Sequence, residues 1–274
     1  MSFNPDRINI HELTIEEPEK QTELLFDVER DISKEDWEGI NMKIEGCILN
    51  NSWSDYASQA MKVKILDPSK NIGRDDNARQ GMERKLDAYK SSNKIDNEWG
   101  SFLSQAMAMK ILDPETDVGL NNDIEQRLGG FLDTLRNRPR SFCFHAMEMK
   151  IISPNMVLNI GETIWKEMEK DLESQRVSNN WIAFARDAVA MKILNPAVDL
   201  KLDNRAWEGM RAKLEYYRVE PNEHWPNFFE QAMNMKILAA EEVKITDKGL
   251  EINMRKKKDS FNTDVPPIPE IKKF

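Results

Sequence analysis

Long apolar runs are missing from this sequence. No stretch approaches the roughly 18 residues that cross a bilayer, so no membrane span is expected. The opening residues, MSFNPDRINIHELTIEEPEK, have neither the basic start nor the apolar run of a secretory signal, and a cytoplasmic location is the expectation that remains. Cysteine is scarce: Cys47 and Cys143 are the whole supply, which excludes a disulfide framework. The three histidines, His11, His145 and His224, show no metal-ligand spacing among themselves or with the cysteines, so no zinc site is expected. Neither G-x-G-x-x-G nor G-x-x-x-x-G-K-[ST] occurs, and no nucleophile–base constellation stands out. No cofactor, no metal and no catalytic residue is therefore expected.

Glycine is also scarce, 11 residues in 274, whereas Met, Leu, Lys and Glu are plentiful. Those side chains lose little freedom in a helix, which favours an all-α protein. With 40% hydrophobic and 32% charged residues the chain can bury a core and stay soluble. The net charge of −9 is uneven: residues 1–36 carry −7 and residues 254–274 carry +3. An acidic total weighs against a nucleic-acid backbone as the main partner.

What the sequence has in abundance is repetition. QAMKVKILDP from Gln59, QAMAMKILDP from Gln105, HAMEMKIISP from His145, DAVAMKILNP from Asp187 and QAMNMKILAA from Gln231 are one line written five times. The shared lysines are Lys64, Lys110, Lys150, Lys192 and Lys236, spaced 40 to 46 residues apart. Eleven residues before them stand Trp53, Trp99, Pro139, Trp181 and Trp225, and Pro68, Pro114, Pro154 and Pro196 close four of the copies. The apolar positions within each copy fall on one helical face, and the proline stops that helix. Between each proline and the next tryptophan runs a second stripe at i, i+4, i+8: Ala78, Met82, Leu86; Ile124, Leu128, Leu132; Ile164, Met168, Leu172; Ala206, Met210, Leu214. Trp37, Ile40 and Ile44 supply its first copy, and Asp75, Asn121 and Asp203 suit helix N-caps.

Two helices per period make a hairpin that cannot cover its own apolar surface. Stacked hairpins can, which predicts a right-handed α-solenoid of about five two-helix repeats with capping helices. Through WSDYASQAMKVKILDP and its copies the chain resembles the HEAT and armadillo class of repeats in architecture, and in nothing that implies an activity. The expected organisation is an acidic segment with a capping helix over 1–34, the repeats over 35–245, a C-terminal capping helix over 246–258, and a proline-containing tail over 259–274.

A helical wheel places the repeated lysine inside the apolar arc with the tryptophan. A residue that serves contact between identical layers recurs in every layer, whereas a residue that serves one ligand does not. The tryptophans and the five lysines are therefore expected to form a structural ladder, the ammonium groups reaching helix-terminal carbonyls. The opposite arc carries Lys62, Ala108, Glu148, Ala190 and Asn234 at one register and is expected to be exposed. Lys62, Glu148 and Asn234, with the basic cluster Arg136, Arg138 and Arg140, are the candidate partner-binding residues. His145 is expected to be a polar position on a helix surface. The leading functional expectation is a non-enzymatic scaffold for a protein or peptide partner; the alternative is a nucleic-acid binder with a basic concave face. An enzyme would be recognised instead by a single deep pocket with unrelated polar residues at one layer.

Overall fold

The computed structural model describes residues 26–70, 72, 75–91, 95–219, 221–246 and 249–254. After one helical turn, α1 (Val28–Asp31), ten longer helices follow in five hairpins. The leading helices are α2 (Lys34–Leu49), α4 (Asp76–Ser91), α6 (Asn122–Thr134), α8 (Glu162–Val177) and α10 (Asn204–Val219). The trailing helices are α3 (Trp53–Leu66), α5 (Ile95–Leu112), α7 (Pro139–Ile152), α9 (Trp181–Leu194) and α11 (Pro221–Ala239). Local chemistry sets these bounds. Ser33 and Asp36 form a reciprocal capping box at the start of α2. Asp75, Asn121 and Asp203 accept from the backbone N–H groups of Ala78, Ile124 and Ala206. After the trailing helices, Asp67, Asp113 and Asn195 accept from the N–H two residues on, turning the chain around the proline that ends the helix. The predicted stripes on the leading helices are buried, with Ile40, Ala78, Leu128, Met168 and Met210 among the least exposed residues.

The hairpins do not form an open array. Each trailing helix packs on the next, α3 on α5, α5 on α7, α7 on α9 and α9 on α11, and α11 packs back on α3. Each also lies against its own leading helix and the following one, and for α11 the following one is α2. The trailing helices are thus the inner wall of a closed ring and the leading helices its outer wall. This corrects the expectation of an open solenoid. An open stack leaves an apolar face at each end that needs caps; here the last hairpin covers the first.

The same contacts that join successive hairpins also join the seam. Trp53 lies on Gly81 of α4, and Trp181 on Gly209 of α10, so closely that a Cβ on either glycine would fall 2.3 Å and 2.2 Å from the indole. Trp225 of α11 lies on Gly39 of α2 in the same way, at 2.2 Å. Lys192 Nζ donates to Leu238 O and Ala240 O, at the end of the next inner helix. Lys236 Nζ makes the equivalent bonds across the seam, to Ile65 O (2.8 Å) and Leu66 O (2.9 Å) of α3. Charge adds to the closure: Arg211 Nη1 of α10 donates to Asp31 Oδ1 at 2.6 Å, and Arg218 Nε to Asp36 Oδ2 at 3.2 Å.

The expected C-terminal capping helix over 246–258 is also corrected. Two antiparallel strands stand there, β1 (Glu242–Thr246) and β2 (Gly249–Asn253), pairing Val243 with Ile252 and Ile245 with Leu250. The apolar residues alternate with polar ones at period two, which suits a strand and not a helix, and Gly249 takes φ +93°, open to glycine alone without strain. The hairpin lies against α5, α7 and α9. Of the expected N-terminal capping helix only the turn α1 falls within the described residues; the rest of residues 1–25 and the tail over 259–274 lie outside them.

Candidate functional site

Five parallel inner helices leave a space along the ring axis. A cavity of about 480 Å³ lies there, lined by residues of all five inner helices, by Tyr89 of α4 and by Leu250 of β2. Its depth follows the helix rise of about 1.5 Å per residue. The N-terminal ends of the inner helices form the mouth, where Ser101 and Arg186 are exposed and Ser54 Oγ shares a hydrogen bond with Tyr89 Oη at 3.0 Å. Five residues past the repeat tryptophan position comes a polar layer, in which Ser58, Ser104, Arg186 and Glu230 accompany Phe144. Three residues deeper is an apolar ring of Met61, Met107, Met147, Val189 and Met233. Ile65, Ile151, Ile193 and Ile237 follow one turn below, with Leu250 at the floor.

Between the two apolar layers lies the register of Lys62, Ala108, Glu148, Ala190 and Asn234. The expectation that this arc is exposed is overturned: Lys62 is 5% exposed, Glu148 0% and Asn234 3%, and all three line the cavity. Closure of the ring turns the polar arc of every inner helix away from bulk solvent and into the lumen. Helical side chains lean towards their own N-terminus, so the polar heads rise to the layer above. Lys62 Nζ donates to Pro226 O at 3.2 Å and faces Glu230 Oε2 at 3.5 Å. Burial lowers the Lys62 pKa below the usual lysine value, against the pull of the Glu230 carboxylate. Glu148 Oε1 accepts from Ser104 Oγ at 2.5 Å, and Glu148 Oε2 lies 2.7 Å from His145 Nδ1. Burial pushes the Glu148 pKa up, and the hydrogen bond and charge of His145 act against that rise. Gly100 leaves the imidazole its room: a Cβ there would meet His145 Cε1 at 3.0 Å. Gln105, 3% exposed, lines the same wall with its Nε2 unpartnered.

The remaining sequence candidates lie elsewhere. Trp53, Trp99, Trp181 and Trp225 are buried in the ring wall. Lys64, Lys110 and Lys150 donate to the carbonyls of Pro68, Pro114 and Pro154 in their own loops, while Lys192 and Lys236 reach the neighbouring helix as described. Arg136 is held by Asp133 at 2.8 Å, Arg140 by Asp187 at 2.7 Å, and Arg138 is exposed. None of the three arginines lines the cavity. Cys143 is buried, and burial pushes its thiol up to about 12, so it stays protonated. Among the described residues no group of three or more His, Cys, Asp or Glu side chains is placed to hold a metal ion, and no helix is long and apolar enough to cross a membrane.

Sequence reasoning missed His145, Ser104, Gln105, Arg186 and Glu230. For Arg186 and Glu230 the signal was departure from the repeat: five residues past the tryptophan position stand Ser58, Ser104, Phe144, Arg186 and Glu230, while the lysine register never changes; Gln105 repeats Gln59 and Gln231 and gave no such signal. Comparison of the chain with protein-family models, curated proteins and solved structures gives no match. The resemblance to HEAT and armadillo repeats is one of architecture alone.

Proposed function

We propose that this protein binds a small molecule inside its helical ring. The observation that carries this reading is the register of Lys62, Ala108, Glu148, Ala190 and Asn234, equivalent positions on five equivalent helices that carry a cation, an acid, an amide and two alanines. Side chains that serve the ring repeat with it; side chains that serve one asymmetric ligand do not. The cavity of about 480 Å³ falls within the roughly 300–1,000 Å³ typical of ligand sites, and its mix of apolar wall and few polar groups is typical of them too. The reading commits to binding; a pocket with unrelated polar residues at one layer is also the expected mark of an enzyme.

A partner-binding scaffold is the second reading. Leu49, Val177 and Val219, at the C-terminal ends of α2, α8 and α10, are largely exposed beside the mouth, where a protein could cover both them and the opening. The acidic net charge of −9 weighs against the nucleic-acid alternative.

The test is a thermal-shift screen of the full chain against a small-molecule library, run in parallel on Val189→Phe, which enlarges a side chain that lines the cavity. A lumen ligand at a hundred times its Kd stabilises the wild type by about 2.7 kcal/mol and leaves the variant unmoved. Hits that stabilise both proteins equally, or no hit at all, would remove the lumen as the binding site.

A further inference from the structure

We infer that the ligand of the lumen is an amphipathic monocarboxylate that enters tail first and leaves its acid group in the polar layer. This rests on the small-molecule reading above and names the chemistry of that ligand. Below the polar layer the wall is mostly apolar down to Leu250, with the methionine ring and four isoleucines, and Asn234 between those two levels. Methionine adapts to an irregular or flexible body better than branched side chains do. A tail therefore has a dry floor to fill, and the polar end of the ligand must stop where Lys62, Gln105 and Arg186 stand.

Among the described residues that line the cavity, the one buried side-chain atom without a hydrogen-bond partner is a donor. Gln105 Nε2 is buried and unpartnered. Lys62 Nζ has three N–H groups and contacts Pro226 O and Glu230, so one donor is left for the lumen. Arg186 approaches Asp187 only at 3.7 Å and remains half-exposed at the mouth. Both oxygens of Glu148 are taken by Ser104 and His145, and Glu230 Oε2 already faces Lys62 at 3.5 Å. A ligand amine would meet Lys62 and Arg186 as like charges; a carboxylate finds donors in them and in Gln105.

The experiment is isothermal titration calorimetry on the full chain with decanoate, decanol, decylamine and the flat acid naphthoate, each below its micellar concentration. Lys62→Met and Gln105→Met are titrated beside the wild type, with melting curves as the fold control. One of the two acids should bind tightest. Each variant should lose roughly tenfold to a hundredfold for that acid, the span of one charge-assisted hydrogen bond, and keep its decanol affinity within about twofold. Naphthoate as the tighter acid supports the carboxylate and assigns the body as flat. Decanol or decylamine binding as tightly as the acids overturns the carboxylate and leaves the small-molecule reading standing. Acid affinity unchanged in both variants also overturns it, and no binding by any probe overturns both readings together. If Lys62→Met does not fold, the same contrast is read from Gln105→Met.

Discussion

Gly39 and Gly46 lie on the same helix, α2, two turns apart, and adding one methyl group to each should have opposite effects. Alanine at an open helix position is worth about 1 kcal/mol over glycine. Gly46 is such a position, since a Cβ there would meet nothing within 4 Å, and Gly46→Ala should stabilise by about that much. At Gly39 the new Cβ would stand 2.2 Å from Trp225 Cε2 and 2.5 Å from Cζ2 and Nε1. Ordinary contact is about 3.5–4.0 Å, so α2 and the indole must separate by more than about 1 Å. Overpacking of that kind costs roughly 1–3 kcal/mol. After the helix-propensity gain, Gly39→Ala should lose about 0–2 kcal/mol. The gap between the two variants is then about 1–3 kcal/mol, or several degrees in melting temperature for a chain of this size. Urea denaturation followed by tryptophan fluorescence measures it, with Gly81→Ala and Gly209→Ala expected to behave like Gly39→Ala. The contrast reads ring closure directly, because the tryptophan over Gly39 belongs to the last hairpin. If Gly39→Ala stabilises as much as Gly46→Ala, Trp225 does not sit on α2 and the ring is open.

Two further outcomes follow from the seam. Lys236→Met strips the buried end of α3 of a charged donor to Ile65 O and Leu66 O and should cost about 2–3 kcal/mol. Lys64→Met, whose lysine reaches only its own surface loop at Pro68, should cost less than about 1 kcal/mol in the same denaturation assay. Asp31 gives a pH signature. Burial raises its pKa, but the hydrogen bonds of Arg30, Arg211 and the Asp27 backbone outweigh burial and hold it below the ordinary value. A depressed folded-state pKa contributes stability that is present above the unfolded value, about 3.9, and is lost as pH falls through the folded value. Asp31→Asn should therefore be less stable than wild type at neutral pH, and the difference should shrink as the pH drops below about 4, read from melting curves across the acid range.

The hairpin architecture was legible because it is local. Tryptophan, lysine and proline at fixed spacing define the trailing helix, the i, i+4, i+8 stripe defines the leading one, and Asp75, Asn121 and Asp203 mark its start. Closure was not legible in the same way, because it is set by the angle between successive hairpins, which no single repeat encodes. Its trace was nonetheless present in three glycines. Gly81 and Gly209 stand thirteen residues past Pro68 and Pro196, each serving the tryptophan of the inner helix before it. Gly39 serves a tryptophan with no inner helix before it in the chain, so its partner had to come from the far end. The notch is not obligatory: the matching positions after Trp99 and Pro139 are Arg127 and Glu167. The strands over 242–253 were missed because Val243, Ile245, Leu250 and Ile252 in a short charged segment were read at the wrong period.

The lumen was missed for a further reason, and the reason bears on what it is for. On a helical wheel a polar arc reads as solvent-facing, because burying an ion costs several kcal/mol and replacing a buried pair with apolar residues is often neutral or stabilising. The ring meets that solution at Ala108 and Ala190, where the same register is filled by a methyl group. Lys62 and Glu148 stand in that register against the interest of stability, each with a pKa displaced towards its neutral form by burial. Each ties its helix to one neighbour, Lys62 to α11 through Pro226 O and Glu230 and Glu148 to α5 through Ser104, but Ala108 and Ala190 hold the same register with no such bond. The lysine register repeats five times unchanged, whereas the register beside the cavity carries a cation, an acid, an amide and two alanines; on the proposed reading the first holds the ring and the second addresses what the ring contains.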